Sequence, residues 1–398
     1  MKIKKILVFL LLPAMAIAFR PIQDKVKKIL EDNVEVILNH VEPYHLKGEP
    51  SRLNLEKLFI IDFESADIAK IGIWNIAGFD VDSQGNIYIW SYQNSSGYSI
   101  FKFDPDGKYR SSLGRRGQGP GEIVAPVYLG ISGQDEILVS DVGRRKLVVL
   151  NSNGDLIKEI QTISGDEITT LLENGKILAR KSIFRPDEGI AELPIIIRSD
   201  DSKEITTLHQ GEKAPNWARV KKINGIAYKS SDHPWSIAQG HIYIGNKESG
   251  YEFLVFDFNG ILIKKIRKEY LPVAVPKEIK EAVLKMFERP ELKQMRINEK
   301  VFFPDHMPPY QYFFTDDKGR LFVMTYEKGA SPGGFMYDIF NPSGVFIGGI
   351  SLDNSGNEQT AAWGGPFEAK AKNGRLYHMR AKGSGYQELV AYKMNWIK

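Results

Sequence analysis

Between Tyr98 and Ile160 the chain alternates short apolar runs with polar turns. One run ends at Phe103, meets the turn Pro105-Asp106-Gly107, and is followed by a second run from Lys108 to Leu113. A glycine-rich stretch, Gly114 to Gly121, leads to a new run opening at Pro126. The pattern then repeats through Glu136-Ile-Leu-Val139, Lys146-Leu-Val-Val-Leu150, the turn Asn151-Ser-Asn-Gly154, and Leu156-Ile157. Short β-branched runs bounded by Gly, Asn and Asp are strands. Gly107 and Gly154 follow Asp106 and Asn153, so each hairpin reverses at a residue that tolerates positive φ. The pattern predicts an all-β chain.

The same inner-hairpin signature recurs along the rest of the sequence. It reads Gly85-Asn-Ile-Tyr-Ile89, Asp135-Glu-Ile-Leu-Val139, Gly175-Lys-Ile-Leu-Ala179, Gly240-His-Ile-Tyr-Ile244, Gly319-Arg-Leu-Phe-Val323 and Gly374-Arg-Leu-Tyr-His378. Each copy has a following strand: Ser99–Phe103, Leu147–Leu150, Pro194–Ile197, Phe253–Phe256, Phe335–Ile339 and Glu388–Tyr392. Six copies at intervals of roughly 40–80 residues predict a six-bladed β-propeller. Apolar runs such as Ile195-Ile-Ile197 suit strands buried on both faces between neighbouring blades. The last blade supplies Phe367–Lys372, Arg375–Arg380 and Gln387–Met394 and is one strand short. The strong strand Leu58–Phe63, near the other end of the chain, is the economical candidate to close it.

The glycine-rich stretch carries a resemblance. Gly117, Gly119, Pro120 and Gly121 precede a blade, Asp141 ends its second strand, and Gly143-Arg144-Arg145 turns into its third. In this the chain resembles the bacterial secreted six-bladed β-propeller proteins related to NHL repeats. The resemblance implies the fold over most of the mature chain and brings no catalytic signature with it. The glycines let the loop cross from one blade to the next against neighbouring backbone. A sharper alternative is an anion site built from the loop N–H groups with Arg115 and Arg116. No Gly-Lys-Ser/Thr follows, so the loop is not a P-loop.

Outside the repeat, Asp24 to Glu31 has Val26, Ile29 and Leu30 at helical spacing and predicts one or two helical turns. Asn33 to His40 alternates and predicts a short strand. Together residues 19–50 form a lead-in arm on the outside of a propeller that spans 51–398. A polar, Trp-containing loop, 209–236, precedes blade 4, and the largest insertion is 269–309. In it, Pro276 can start a helix. Ile279, Val283, Met286 and Phe287 share one helical face, which places a small helical insertion at about 272–300. A second segment, Leu292 to Val301, is less regular. The insertion precedes an inner strand, so the helix belongs on the face where loops enter the ring, as a cover or lining for the channel mouth or as a packed cap.

The N-terminus has the form of a signal peptide over residues 1–18, with basic Met1–Lys5, apolar Ile6 to Ala18, and Ala16-Ile17-Ala18 at the cleavage position. Cleavage is expected after Ala18, and the product is secreted or periplasmic. The mature chain has no membrane-spanning stretch. It loses Lys2, Lys4 and Lys5, so its formal charge falls from +4 to +1. A near-neutral protein has no net drive toward nucleic acid. The basic run Lys264-Lys265-Ile266-Arg267-Lys268 is expected as a solvated outer edge that discourages edge pairing. The chain has no cysteine, which excludes disulfides, thiolate zinc sites, a cysteine nucleophile and a lipobox.

No nucleophile elbow, calcium loop or paired glycosidase carboxylates can be nominated. The seven histidines include no metal-binding spacing. His233 and His306, with Asp232 and Asp305, lie in loops just before inner strands, where a divalent metal would serve a lyase- or lactonase-type propeller enzyme. No metal ligand and no cofactor is assigned otherwise. Aromatic and basic residues recur in the expected mouth loops: Arg115, Arg116, Arg144, Arg145, Arg185, Trp217, Trp235, His306, Tyr310 and Trp363. Trp and Arg dominate binding hot spots, whereas Trp235 and Trp363 also suit the wall of the ring. Three readings follow. The first is a non-enzymatic binding module for a protein, peptide or glycan at the loop face and channel mouth. The others are the metal-dependent enzyme and a structural component of a cell-envelope complex.

Overall fold

Burial falls steeply from the inside of each sheet outward. In the sheet after the glycine-rich loop, strands Ile137–Asp141 and Lys146–Leu150 are buried at every position, whereas no residue of the outer strand Leu156–Gln161 is. Continuous Ile, Val and Leu suit the first two because neighbouring sheets cover both of their faces. Each such side chain contributes about 1.5–3 kcal/mol by burial. The structure, a computed structural model, describes residues 26–73, 76–93, 97–163, 165–199, 201, 203–216, 220–226, 235–330, 333–353 and 369–398. The signal peptide of 1–18 and its expected cleavage after Ala18 lie outside the described residues.

Six sheets form a ring, each running from an inner to an outer strand. Blade 1 comprises Ile76–Val81, Ile87–Gln93, Gly97–Phe103 and Tyr109–Leu113. Blade 2 comprises Pro126–Ile131 and the three strands just described, from Ile137 to Gln161. Blade 3 comprises Asp166–Leu171, Ile177–Lys181, Ile190–Arg198 and Glu204–Pro215. Blade 4 comprises Trp235–Ala238, His241–Gly245, Glu252–Asp257 and Leu262–Lys268. Blade 5 comprises Tyr312–Thr315, Leu321–Lys328, Phe335–Phe340 and Phe346–Leu352. Blade 6 takes Ala369–Lys372, Arg375–Ala381 and Gln387–Ile397 from the C-terminal end of the chain and β3 (Arg52–Asp62) from near the other end. Phe59, Ile60 and Ile61 of β3 pair with Ala391, Val390 and Leu389, which is the expected closure.

The hydrophobic core is divided among the blade interfaces. Ile87, Phe101 and Tyr377 pack blade 6 on blade 1, and Trp90, Ile137 and Val148 pack blade 1 on blade 2. Ile195, Trp235 and Ile244 join blades 3 and 4, Phe253, Phe313 and Val323 join 4 and 5, and Phe322, Tyr337 and Leu376 join 5 and 6. No blade has a core of its own, so an unclosed ring leaves two blade faces bare. The hairpins are locked locally. Asp82, Asp104, Asn151, Asp257 and Asp316 each accept N–H bonds two and four residues on, which accounts for the recurring Asp/Asn-x-x-Gly pattern.

The arm departs from expectation. Residues Lys27–Glu31 form strand β1 rather than helical turns, paired with β2 (Val34–Asn39). Asp32 and Asn33 both have positive φ, +51° and +65°, as a two-residue hairpin turn requires, and that turn overrides the helical spacing of Val26, Ile29 and Leu30. β2 continues blade 4, lying parallel to Leu262–Lys268 with Val36 and Ile37 fully buried. The basic run 264–268 is therefore a covered strand, not a solvated edge. Glu31 pairs with Lys265 and Arg267, and Asp338 with Lys268. Asn39 then donates to the Arg267 and Gly344 carbonyls and accepts from Phe346 N–H, and Tyr44 N–H donates to the Phe346 carbonyl. The arm thus straps blade 4 to blade 5 before entering blade 6.

The two long insertions meet. Helix α1 (Ala66–Ile71) is short and leads into blade 1, whereas α2 (Lys277–Phe287) lies in the insertion before blade 5. Val283 and Phe287 of α2 are buried against Val220, Ile223 and Ile297, with Ile279 and Met286 partly covered. The helical face expected from sequence is the packed one. The segment 292–301 holds only short helical turns, and Val301–Phe302 pairs in parallel with Ile223–Asn224 from the insertion before blade 4. The insertions form one cap with its own small core.

Candidate functional site: a cleft on the loop face

In each blade the loop to the next blade and the loop between the second and third strands emerge on the same face. The turns on the opposite face are laced to one another. Ser83 donates to Asp135 through N–H and hydroxyl. Asn373 donates to the Asp82 and Ser83 carbonyls and, through N–H, to Asp317. Gln239 donates to the Asp317 carbonyl. These bonds run through five of the six inner turns, so that end of the ring is held by its own polar groups. The loop face carries the two insertions and is the side on which side chains can meet a ligand.

The glycine-rich loop has spent its donors internally. Gly119 N–H donates to Glu122 (2.9 Å) and Gly121 N–H to Glu159 (2.7 Å). Asp141, 1 % exposed, accepts from Val124, Ala125 and Gly143 N–H. Glu159 also takes the buried Lys146 ammonium at 2.6 Å, which holds its carboxyl below the usual range despite desolvation. A Cβ at Gly117 would meet the Glu122 carboxylate, which would have to shift. The motif residues therefore bind the protein's own anions. Arg115 and Arg116 lie exposed on a two-residue strand paired with Glu122–Ile123.

The other nominated residues divide into turn, core and rim. Arg144 reaches Gln118 at 3.4 Å, and the Arg145 carbonyl accepts Thr162 N–H in a positive-φ turn. Arg185 donates from Nε and Nη2 to one oxygen of Glu192 (3.0 and 2.7 Å), a pairing that raises its pKa further. Trp235 is buried between blades 3 and 4. His306 is exposed on the stem of the cap, bridged to Ala274. Trp217, Trp363, His233 and Asp232 lie outside the described residues. Among the described residues no three His, Asp or Glu side chains gather as a metal site.

Tyr310 is the nominated residue that lines the cleft. It is fully buried, stacked on Phe253 at 4.7 Å and against Tyr251 at 5.3 Å, and its ring lies over Gly245, where any side chain would overlap the phenol oxygen. Burial holds its hydroxyl protonated, well above the ordinary tyrosine pKa. Beside it opens a cleft of about 500 Å³, counted out to solvent, between blade 3 and the chain entering blade 5. Arg180, His209 and Glu212 line the blade 3 side, and Lys247, Gln311 and Tyr312 the other. Arg180 is tied to Glu167 at 3.1 Å. His209 Nδ1 accepts Gly211 N–H at 2.9 Å, so Nε2 carries the proton and faces Asn246 Oδ1 at 3.3 Å. Of these residues only Tyr310 was nominated from sequence. Lys247 follows the marker run Gly240–Ile244 by three residues, and His209 sits midway along the long outer strand of blade 3. For Lys247 the available signal was a charged residue shortly after a buried run.

A model of the DUF5128 family, described as 6-bladed beta-propeller, matches residues 64–164, which hold blades 1 and 2. The chain is a six-bladed β-propeller. Among solved structures it is similar to a protein described as exported from Bacteroides fragilis, at 10 % identity over 91 % of this chain and 100 % of that one, with a TM-score of 0.48. A DUF4221-family member from Bacteroides vulgatus is 13 % identical over 88 % of this propeller and 100 % of that chain, with a TM-score of 0.49. A gluconolactonase from Xanthomonas campestris is 11 % identical over 86 % of this propeller and 97 % of that chain, with a TM-score of 0.41. No curated protein matches the propeller in sequence. No described helix is long and apolar enough to cross a membrane.

Proposed function

We propose that this propeller is an exported, non-enzymatic binding module that holds a group of a peptide, protein or glycan in the loop-face cleft. The observation that supports it is the cleft itself. It is walled by charged and aromatic side chains from three consecutive blades and lies on the face not closed by turn-to-turn bonds, the face that also carries the two long insertions. The mature chain is a single propeller over 51–398 with the arm of 19–50, and it works without a cofactor. Export rests on the basic and apolar N-terminal segment. Near-neutral charge leaves no drive toward nucleic acid.

The test is a panel of soluble oligosaccharides and peptides scored by melting shift and calorimetry. It uses the wild type and Glu212→Trp, which places a bulky ring at the exposed rim of the cleft on an outer strand. At least one compound is expected to bind the wild type, and Glu212→Trp is expected to weaken it at least tenfold. Binding untouched by that substitution would place the site elsewhere, and turnover of a bound compound would make the protein an enzyme. Export is checked separately by N-terminal sequencing of protein recovered from outside the cytoplasm, which is expected to begin at Phe19.

A further inference from the structure

The ammonium of Lys247 stands in the cleft without a counter-ion. Lys247 opens the short 3₁₀ turn Lys247–Ser249 directly after the second strand of blade 4. Its Nζ donates one long hydrogen bond, 3.4 Å, to the Gln311 carbonyl and lies 5.3 Å from the centre of the Tyr310 ring. Among the described residues it enters no ion pair, and Glu212 across the cleft acts on it only at longer range. An ammonium has three donors, and only one of them is used by the described residues of the protein. A half-buried charge with one weak bond to the protein can take a counter-ion from the open space that faces it. Desolvation pushes Lys247 below the ordinary lysine pKa, with Glu212 opposing. The neighbouring polar groups do not compete for a ligand anion: Arg180 is held by Glu167, and His209 is committed to Gly211 and Asn246.

We propose that the cleft recognises a carboxylate, bound by Lys247 Nζ, on a ligand whose remaining body lies along Tyr312 and Gln311. This inference rests on the cleft being the binding site. One ammonium with Glu212 nearby suits a single negative charge and disfavours a dianion such as phosphate. Two sources present that chemistry, a sugar acid and the free carboxylate of a peptide.

The experiment titrates the full-length mature protein with D-galacturonate against D-galactose, and with N-acetyl-L-phenylalanine against its amide. Inorganic phosphate is a further arm. At least one acid is expected to bind at least tenfold tighter than its neutral partner, and the pair that responds identifies the source. Lys247→Met is expected to lose that binding at least tenfold, and Lys247→Arg to retain part of it. Acetylation of Lys247 by acetic anhydride, followed by mass spectrometry, is expected to slow severalfold in the presence of the bound acid. The proposal is overturned if acid and neutral probes bind equally, if Lys247→Met binds the acid as the wild type does, if phosphate binds best, or if no probe binds. A neutral compound that binds and is displaced by Glu212→Trp would leave the cleft as the site while removing the carboxylate. Failure of the wider panel as well would remove both.

Discussion

The glycine-rich loop between blades 1 and 2 and the cleft between blades 3 and 5 present opposite uses of the same groups. The loop has four backbone donors, from Gly119, Gly121, Val124 and Ala125, aimed at three carboxylates, Glu122, Glu159 and Asp141, all from the chain itself. The cleft has an ammonium, Lys247, aimed at open space. A regular motif satisfies its own hydrogen bonds and so marks structure. A second contrast lies between two unmet groups. His378 is fully buried in blade 6, and neither ring nitrogen has a hydrogen-bond partner among the described residues. Lys247 is unmet at a cleft wall. The sealed group is a cost to stability, whereas the open one is capacity for a ligand.

The largest effect is expected at the loop. Asp141→Ala leaves the Val124, Ala125 and Gly143 N–H groups without their acceptor and should cost about 3–5 kcal/mol in urea unfolding. An Asp141→Ala protein as stable as the wild type would break the contrast at its structural end.

The next effect separates the sealed group from the open one. Burial, with Arg380 adding to it, depresses His378 to about 4 from 6.5. The folded protein then binds fewer protons than the unfolded chain between these values. Stability from this group is complete above about pH 6.5 and declines as pH falls toward 4, by up to ~3 kcal/mol. Asp166, Asp316 and Asp338, raised by burial, titrate in the opposite sense, so the difference between wild type and variant is the quantity to measure. His378→Leu should flatten the decline between pH 6.5 and 4. An unchanged slope would show that His378 is not held neutral.

Lys247→Met should change stability by about 1 kcal/mol or less, since it removes a poorly paired charge, while abolishing acid binding. Large destabilisation with binding intact would reverse its assigned role. Smallest of all, Arg115→Ala and Arg116→Ala, both exposed, should move stability by about 0.5 kcal/mol or less and leave ligand binding unchanged.

The propeller was legible because its determinants are local. A Gly at the reversal (Asp135 in blade 2) with a buried run after it recurs six times, Asp or Asn caps several of the hairpins, and counting strands exposes the one that blade 6 lacks. Strand β1 was misread because Val26, Ile29 and Leu30 fit a helix, while the Asp32-Asn33 turn that decides the matter reads as a weak signal in sequence. The covering of Lys264–Lys268 by β2 was equally hidden, since it depends on a parallel pairing across more than two hundred residues. The cleft was the least legible part. Arg180, His209, Lys247 and Tyr312 come from three blades and share no spacing. Arg115, Arg116, Arg144 and Arg145 drew attention because they flank a motif, and that motif turned out to satisfy itself.

The most direct test of the central claim is hydrogen–deuterium exchange of the mature protein with and without the tightest-binding acid probe. Slowed exchange confined to residues 245–251 and 308–313, with 114–124 unchanged, is the predicted result. Slowed exchange across 114–124 with the cleft segments unchanged would contradict it and return the binding site to the glycine-rich loop.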